Sequence, residues 1–220
     1  MRSIRVKICG LTREEDLAVA VAAGVDAVGF LVGVPSSPRN LTLERTKTLI
    51  KQVPVFVDSV VVTTPKSNEW LLEVCERLKP SAIQIHGKEQ FNSSEIRETV
   101  TITRLIKTVY VTEDALNEKV IEDLKTFDAV LLDSFSKGHY GGTGKVHDWT
   151  LSRQIKEAVA PVPVILAGGL KPENVKEAVL AVKPYAVDVA SGVEASPGVK
   201  DHEKVKAFVE NAKEIKLSNN

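Results

Sequence analysis

Eight short runs of β-branched and other apolar residues recur along this 220-residue chain, and their spacing limits the possible folds more than any other feature. They are IRVKI at 4–8, DAVGFLV at 26–32, VPVFVDSV at 53–60, SAIQI at 81–85, TITRLI at 101–106, DAVLLD at 128–133, VPVILA at 162–167 and YAVDVA at 185–190. Such near-continuous apolar runs suit strands buried on both faces. The segments between them carry apolar residues at helical spacing. Examples are Leu17, Val21 and Ala22; Leu71, Leu72, Cys75 and Leu78; Val175, Ala178, Val179 and Val182; and Val205, Phe208, Val209 and Ala212. Thr12 ahead of Glu14, Glu15 and Asp16 predicts a capped helix start, and Pro172 with Glu173 predicts another. Strand alternating with helix predicts an α/β fold, and eight units of roughly 25 residues predict a (β/α)8 TIM barrel. The expected organisation is one barrel domain over 1–220. An open doubly wound sheet often carries GxGxxG after its first strand; here that position reads KICGLT.

Composition excludes several classes. Lys plus Arg is 29 and Asp plus Glu is 29, so the formal net charge is zero. This balance gives no electrostatic footprint for nucleic acid or an anionic membrane. No run approaches the ~18 apolar residues of a spanning helix, and MRSIRVKICG places charges through its apolar stretch, unlike a secretory signal. Two cysteines fit a reducing compartment. The expectation is a cytoplasmic protein with a small-molecule ligand and no nucleic-acid or membrane partner, monomer or homodimer being left open.

A barrel of this kind places its chemistry at the C-terminal strand ends. The first run ends with Lys7 and Cys9, the second leads to Ser37, Pro38 and Arg39, and the third is expected to end at Asp58. The fourth carries Gln84 and His86, the sixth ends at Asp133, and the eighth holds Asp188 and runs into Ser191 and Gly192. Side chains alternate along a strand, so Ile4, Val6 and Ile8 share the helix-packed face while Lys7 and Cys9 point inward. A buried lysine requires a counter-charge, and Asp188 or Asp133 is expected to supply it. Gln84 and His86 read either as polar filling of the barrel or, for His86, as a ligand contact. Cys75 reads as a core residue, and His139, His147 and His202 are too dispersed for a metal site.

Glycine-bearing turns follow the last strands. AGGL at 167–170 contains Gly168 and Gly169, and ASGVE at 190–194 contains Ser191 and Gly192. Turns at these two ends are where this architecture commonly binds phosphate through backbone N–H groups. GGTG at 141–144, with Gly142 and Gly144 in the long connection 134–148, is expected to add donors or a cover.

The ordered segments KICGLT, SPR at 37–39, QIHGKE at 84–89, LLDS at 131–134, GGTGKVHDW at 141–149, LAGGLKPENV at 166–175 and VDVASGVEASPGVKD at 187–201 resemble the phosphoribosylanthranilate isomerase family. That resemblance implies an Amadori rearrangement of N-(5-phosphoribosyl)anthranilate in tryptophan biosynthesis. Cys9 would be its general base, Asp133 its general acid, and Arg39 the partner of the anthranilate carboxylate. The AGGL and ASGVE loops, with Gly168, Gly169, Ser191 and Gly192, match the family's phosphate-binding backbone, and neither metal nor cofactor is implied. His86, Gly142, Gly144 and Asp188 are expected from their place in the barrel to add substrate contacts. Two other readings are a different phosphate-binding barrel isomerase or epimerase and a non-catalytic phosphoribosyl-ligand-binding barrel. KICG and SPR speak against the first, and retention of both Cys9 and Asp133 against the second.

Overall fold

The computed structural model describes residues 2–87, 97, 103–134 and 147–217. Eight strands close a parallel ring: β1 (Arg5–Ile8), β2 (Ala27–Val32), β3 (Asp58–Thr63), β4 (Ala82–Ile85), β5 (Arg104–Tyr110), β6 (Ala129–Asp133), β7 (Val164–Leu166) and β8 (Ala186–Val189). Each strand pairs in parallel with its neighbours in sequence, and β8 pairs with β1 to complete the circle. The seam register sets Asp188 opposite Lys7. An antiparallel pair, Arg2–Ser3 with Lys216–Leu217, lies beside it in the chain.

Among the described residues, helices α1 (Glu14–Ala22), α2 (Leu43–Ile50), α3 (Asn68–Leu78), α4 (Glu118–Leu124), α5 (Trp149–Ala158), α6 (Val175–Val182) and α7 (His202–Glu214) follow seven of the strands, all but β4. The apolar stripes of every helix but α3 and the outward strand residues Ile4, Val6, Ile8, Val28, Phe30, Val130 and Leu132 form the main core, while Leu71, Val74 and Leu78 of α3 pack with Val61, Ile83 and Leu105 in a second cluster. Each fully buried aliphatic or aromatic side chain there contributes on the order of 1.5–3 kcal/mol. Val205, Phe208, Val209 and Ala212, the stripe read from sequence, are all buried on α7. Asp201 caps that helix by accepting from the Glu203 and Lys204 N–H groups at 3.1 Å.

The barrel interior is layered. Val60, Ala82, Ile106, Leu131, Ile165 and Ala186 form an apolar cluster. Gln84, Thr108 and Asp188, buried on three of the same strands, make a polar layer with Lys7 of β1. Side chains of strand residues two apart share a face, so Ala82–Gln84, Ile106–Thr108 and Ala186–Asp188 stack polar over apolar toward the C-terminal mouth.

Three expectations need correction. The third strand begins, rather than ends, at Asp58, which pairs with Ala27. Pro54 lacks a ladder donor and its carbonyl accepts from the Val57 N–H at 3.2 Å, closing a turn that leaves Val55 and Phe56 exposed. Asp58 therefore sits at the N-terminal face, away from the mouth. Thr12 does not cap α1: Arg13 holds the N-cap position without a side-chain bond, and the Thr12 hydroxyl donates to the Gly198 carbonyl at 2.6 Å. The helix expected to open at Pro172 begins at Val175, after a turn in which the Asn174 N–H bonds the Lys171 carbonyl.

Candidate active site

A pocket enclosing about 750 Å³, part of it open to solvent, occupies the C-terminal mouth. Cys9, Arg39, Gln84, His86, Asp133 and Asp188 line it together with the turns 167–170 and 189–192. Cys9 follows β1 and Asp133 ends β6, three strands away around the ring.

Beneath the pocket lies a chain of polar contacts. Lys7 Nζ donates to Asp188 Oδ1 at 3.0 Å and to Gln84 Oε1 at 2.9 Å, all three side chains being buried. Burial alone would pull the Lys7 ammonium down. The Asp188 carboxylate and the Cys9 sulfur outweigh it, leaving the group raised and charged. Because an ammonium only donates, it holds the Gln84 carbonyl toward itself and turns the amide NH2 to His86 Nε2 at 2.8 Å. His86 Nε2 must then accept, so the neutral ring carries its proton on Nδ1. Burial, with the Lys7 and Lys107 charges, pushes His86 down to about 3, so the imidazole stays neutral at physiological pH.

Cys9 and Asp133, expected from the sequence to be base and acid, are both shifted by burial. Burial pushes the Asp133 carboxyl up; its bond from the Ser134 N–H at 2.8 Å opposes this, the Asp188 charge adds to it, and the group reaches about 6. It can therefore hold a proton close to neutral pH. Burial also pushes the Cys9 thiol up, Lys7 pulls it down and Asp188 pushes it up again, with a net rise. Burial thus outweighs the pull of Lys7 toward the thiolate.

The glycine turns after β7 and β8 lie against each other in the pocket wall. Gly168 has φ +77°, and a Cβ there would stand 2.3 Å from Ser134 Oγ. A Cβ on Gly192 would stand 1.9 Å from the Leu170 carbonyl oxygen, so only glycine lets the turns approach this closely. Asn174 braces the first turn, donating to the Gly169 carbonyl at 3.0 Å and accepting from the Lys171 N–H at 2.8 Å. Backbone N–H groups on two converging turns suit an anionic, phosphate-sized group. Among the described residues, no three His, Cys, Asp or Glu side chains gather to hold a metal ion.

The family described as N-(5'phosphoribosyl)anthranilate (PRA) isomerase matches residues 6–211. The chain belongs to the phosphoribosylanthranilate isomerase family. A family relative from Methanosarcina acetivorans, named N-(5'-phosphoribosyl)anthranilate isomerase, is 45% identical over 94% of this chain and 92% of its own length. One of the same name from Haloferax volcanii is 45% identical over 95% and 93%. The solved phosphoribosyl anthranilate isomerase of Thermotoga maritima superposes with a TM-score of 0.84 at 38% identity, covering 96% of this chain and all of the other. Another solved isomerase, in complex with reduced 1-(o-carboxyphenylamino)-1-deoxyribulose 5-phosphate, gives 0.81 at 36% with the same coverage.

Within this family fold, Cys9, Arg39, His86, Asp133, Gly168, Gly169, Asp188, Ser191 and Gly192 all line the one pocket. Gly142 and Gly144 lie outside the described residues. Asp188 is the Lys7 partner, and Arg39 is held by Glu194 through Nε at 2.7 Å and Nη2 at 2.6 Å. The sequence reading misses Asn174, Glu194 and Lys200. For the last two a signal existed: EASPGVK places opposite charges symmetrically around a Pro-Gly turn, and these residues pair directly across a hairpin. Among the described residues, no helix is long and apolar enough to cross a membrane.

Proposed function

We propose that this one barrel domain is an isomerase of tryptophan biosynthesis that converts N-(5-phosphoribosyl)anthranilate to 1-(2-carboxyphenylamino)-1-deoxyribulose 5-phosphate. Asp133 is the acid of the reaction. It protonates the furanose ring oxygen while the anthranilate nitrogen lone pair forms a C=N bond and the C1′–O bond breaks. The resulting iminium acidifies C2′–H. Cys9 thiolate removes that proton, the electrons form the C1′=C2′ enolamine, and transfer of the enol proton to C1′ yields the ketone. Each group contributes on the order of 10²–10⁴-fold.

One observation carries the assignment: a carboxyl raised to about 6 and a thiol line the same pocket. An ordinary carboxylate would be almost wholly ionised at pH 7 and unable to donate. The ligand's phosphate is assigned to the two glycine turns, its carboxylate to Arg39, and the neutral donor ring of His86 to the sugar hydroxyls. The test is turnover of N-(5-phosphoribosyl)anthranilate by purified protein, followed by loss of anthranilate fluorescence. Cys9→Ala is expected to fold normally and lose at least about 10²-fold in kcat; near-wild-type turnover removes the thiol from the mechanism.

A further inference from the structure

Arg39 enters the pocket from the loop after β2 already fully engaged along one edge. Its Nε and Nη2 meet both Glu194 oxygens at 2.7 and 2.6 Å, a bidentate pair with side chains 12% and 5% exposed. Glu194 itself does not line the pocket. The Oε1 that takes Arg39 Nε also accepts from Lys200 Nζ at 2.9 Å, and the same ammonium, with no exposed side-chain surface, donates to the Ala190 carbonyl at 2.9 Å. The stem of Arg39 is confined as well, because its Cδ lies where a Cβ on Gly10 would come within 2.5 Å.

This arrangement does more than bury charge. A buried ion pair is weak support for stability, since an apolar replacement of similar volume often serves equally well. What a bidentate carboxylate supplies is direction: it fixes the guanidinium plane and leaves the Nη1 hydrogens and one on Nη2 for a ligand. The charges Arg39⁺, Glu194⁻ and Lys200⁺ leave one net positive charge, which suits a single carboxylate. Glu194 also follows Ser191–Val193 directly in the chain. The turn that meets the phosphate is therefore tied through one carboxylate to the group that meets the other anionic end of the ligand.

We infer that Glu194, anchored by Lys200, is a positioning residue that aims Arg39 and so makes the pocket select ligands whose aromatic amine carries an ortho carboxylate at a fixed distance from the phosphate. This rests on the reading above that Arg39 meets the anthranilate carboxylate.

The test uses two reduced product analogues, 1-(2-carboxyphenylamino)- and 1-phenylamino-1-deoxyribitol 5-phosphate, titrated calorimetrically into the full chain. The readout is the ratio of their Kd values, which a merely structural role would not move because it would weaken both alike. Glu194→Gln is expected to lower the preference for the carboxylated analogue about tenfold, in line with loss of charge-assisted contacts. Glu194→Asp keeps the charge against Lys200, and so the fold, but is too short to span both Arg39 donors; the same fall is expected. Arg39→Ala should remove the preference altogether. If Arg39→Ala keeps the wild-type ratio, the carboxylate reading of Arg39 fails. If Arg39→Ala loses the preference while both Glu194 variants retain it, the positioning role of Glu194 is overturned and Arg39 stands alone.

Discussion

Replacing Asp133 by asparagine keeps the side chain's shape and removes its proton. The consequence depends on pH in a way the burial of Asp133 sets. At about 6, the carboxyl is protonated in roughly a tenth of molecules at pH 7; at its ordinary value of 3.8 the figure would be roughly one in 1,600. Burial thus enlarges the supply of acid about 150-fold. In the proposed mechanism the productive form also needs the Cys9 thiolate, a minor species at pH 7 because that thiol is raised. Below pH 6 the acid is saturated and the rate falls with the thiolate. Between 6 and the thiol's own midpoint each unit gains thiolate and loses acid in equal measure, so kcat/KM is level. The substrate's phosphate also ionises near 6, so the quantity to plot is the ratio of wild-type to Asp133→Asn kcat/KM between pH 5 and 9. Substrate and thiol ionisations cancel in that ratio. It should be constant below about pH 6, in the range 10²–10⁴, and fall tenfold per unit above it. A ratio flat across the whole range would show that Asp133 donates no proton. One that already falls tenfold per unit from pH 5 would show that its carboxyl titrates as an ordinary aspartate and that the burial argument is wrong.

Lys7→Met leaves Asp188 charged and unpaired in the barrel, and should cost about 3–5 kcal/mol in urea unfolding. In Gly29→Ala the new Cβ would meet Cys9 Sγ at 2.8 Å; displacement of the sulfur should cut kcat on the order of 10²-fold with the far-ultraviolet circular dichroism unchanged. Asn174→Ala removes both braces of the first glycine turn, and KM for the phosphorylated substrate should rise about tenfold.

The barrel was legible because both faces of its strands are buried, so each strand is written as an apolar run. The inward direction of Lys7 followed from parity with Ile4, Val6 and Ile8, and its pairing with Asp188 was one of two charge partners that burial demands. The third strand shows the limit of that reasoning. VPVFV is as apolar as any strand here, yet Pro54 and the turn that follows put Val55 and Phe56 in solvent, and the ladder runs through VVV instead. Asp58 was misplaced for that reason alone. Ionisation was less legible still. The sign of the Cys9 shift is a contest between burial and a lysine, and no pattern of residues along a chain weighs one against the other. Gln84 could be read as filler because nothing local shows that an ammonium and an imidazole meet its two ends. Glu194 needed the hairpin that brings it against Lys200 and the loop that brings it Arg39.

The bond between Lys7 and Asp188 joins the first strand of the ring to the last. During synthesis the ammonium next to the Cys9 thiol leaves the ribosome 181 residues ahead of its answering carboxylate. A nascent chain that has not yet made Ala186–Val189 carries a lysine with no counter-ion and a thiol with no settled electrostatic surroundings. In the mechanism proposed above, the electrostatic surroundings of the Cys9 thiol are therefore complete only once the last strand has closed the circle.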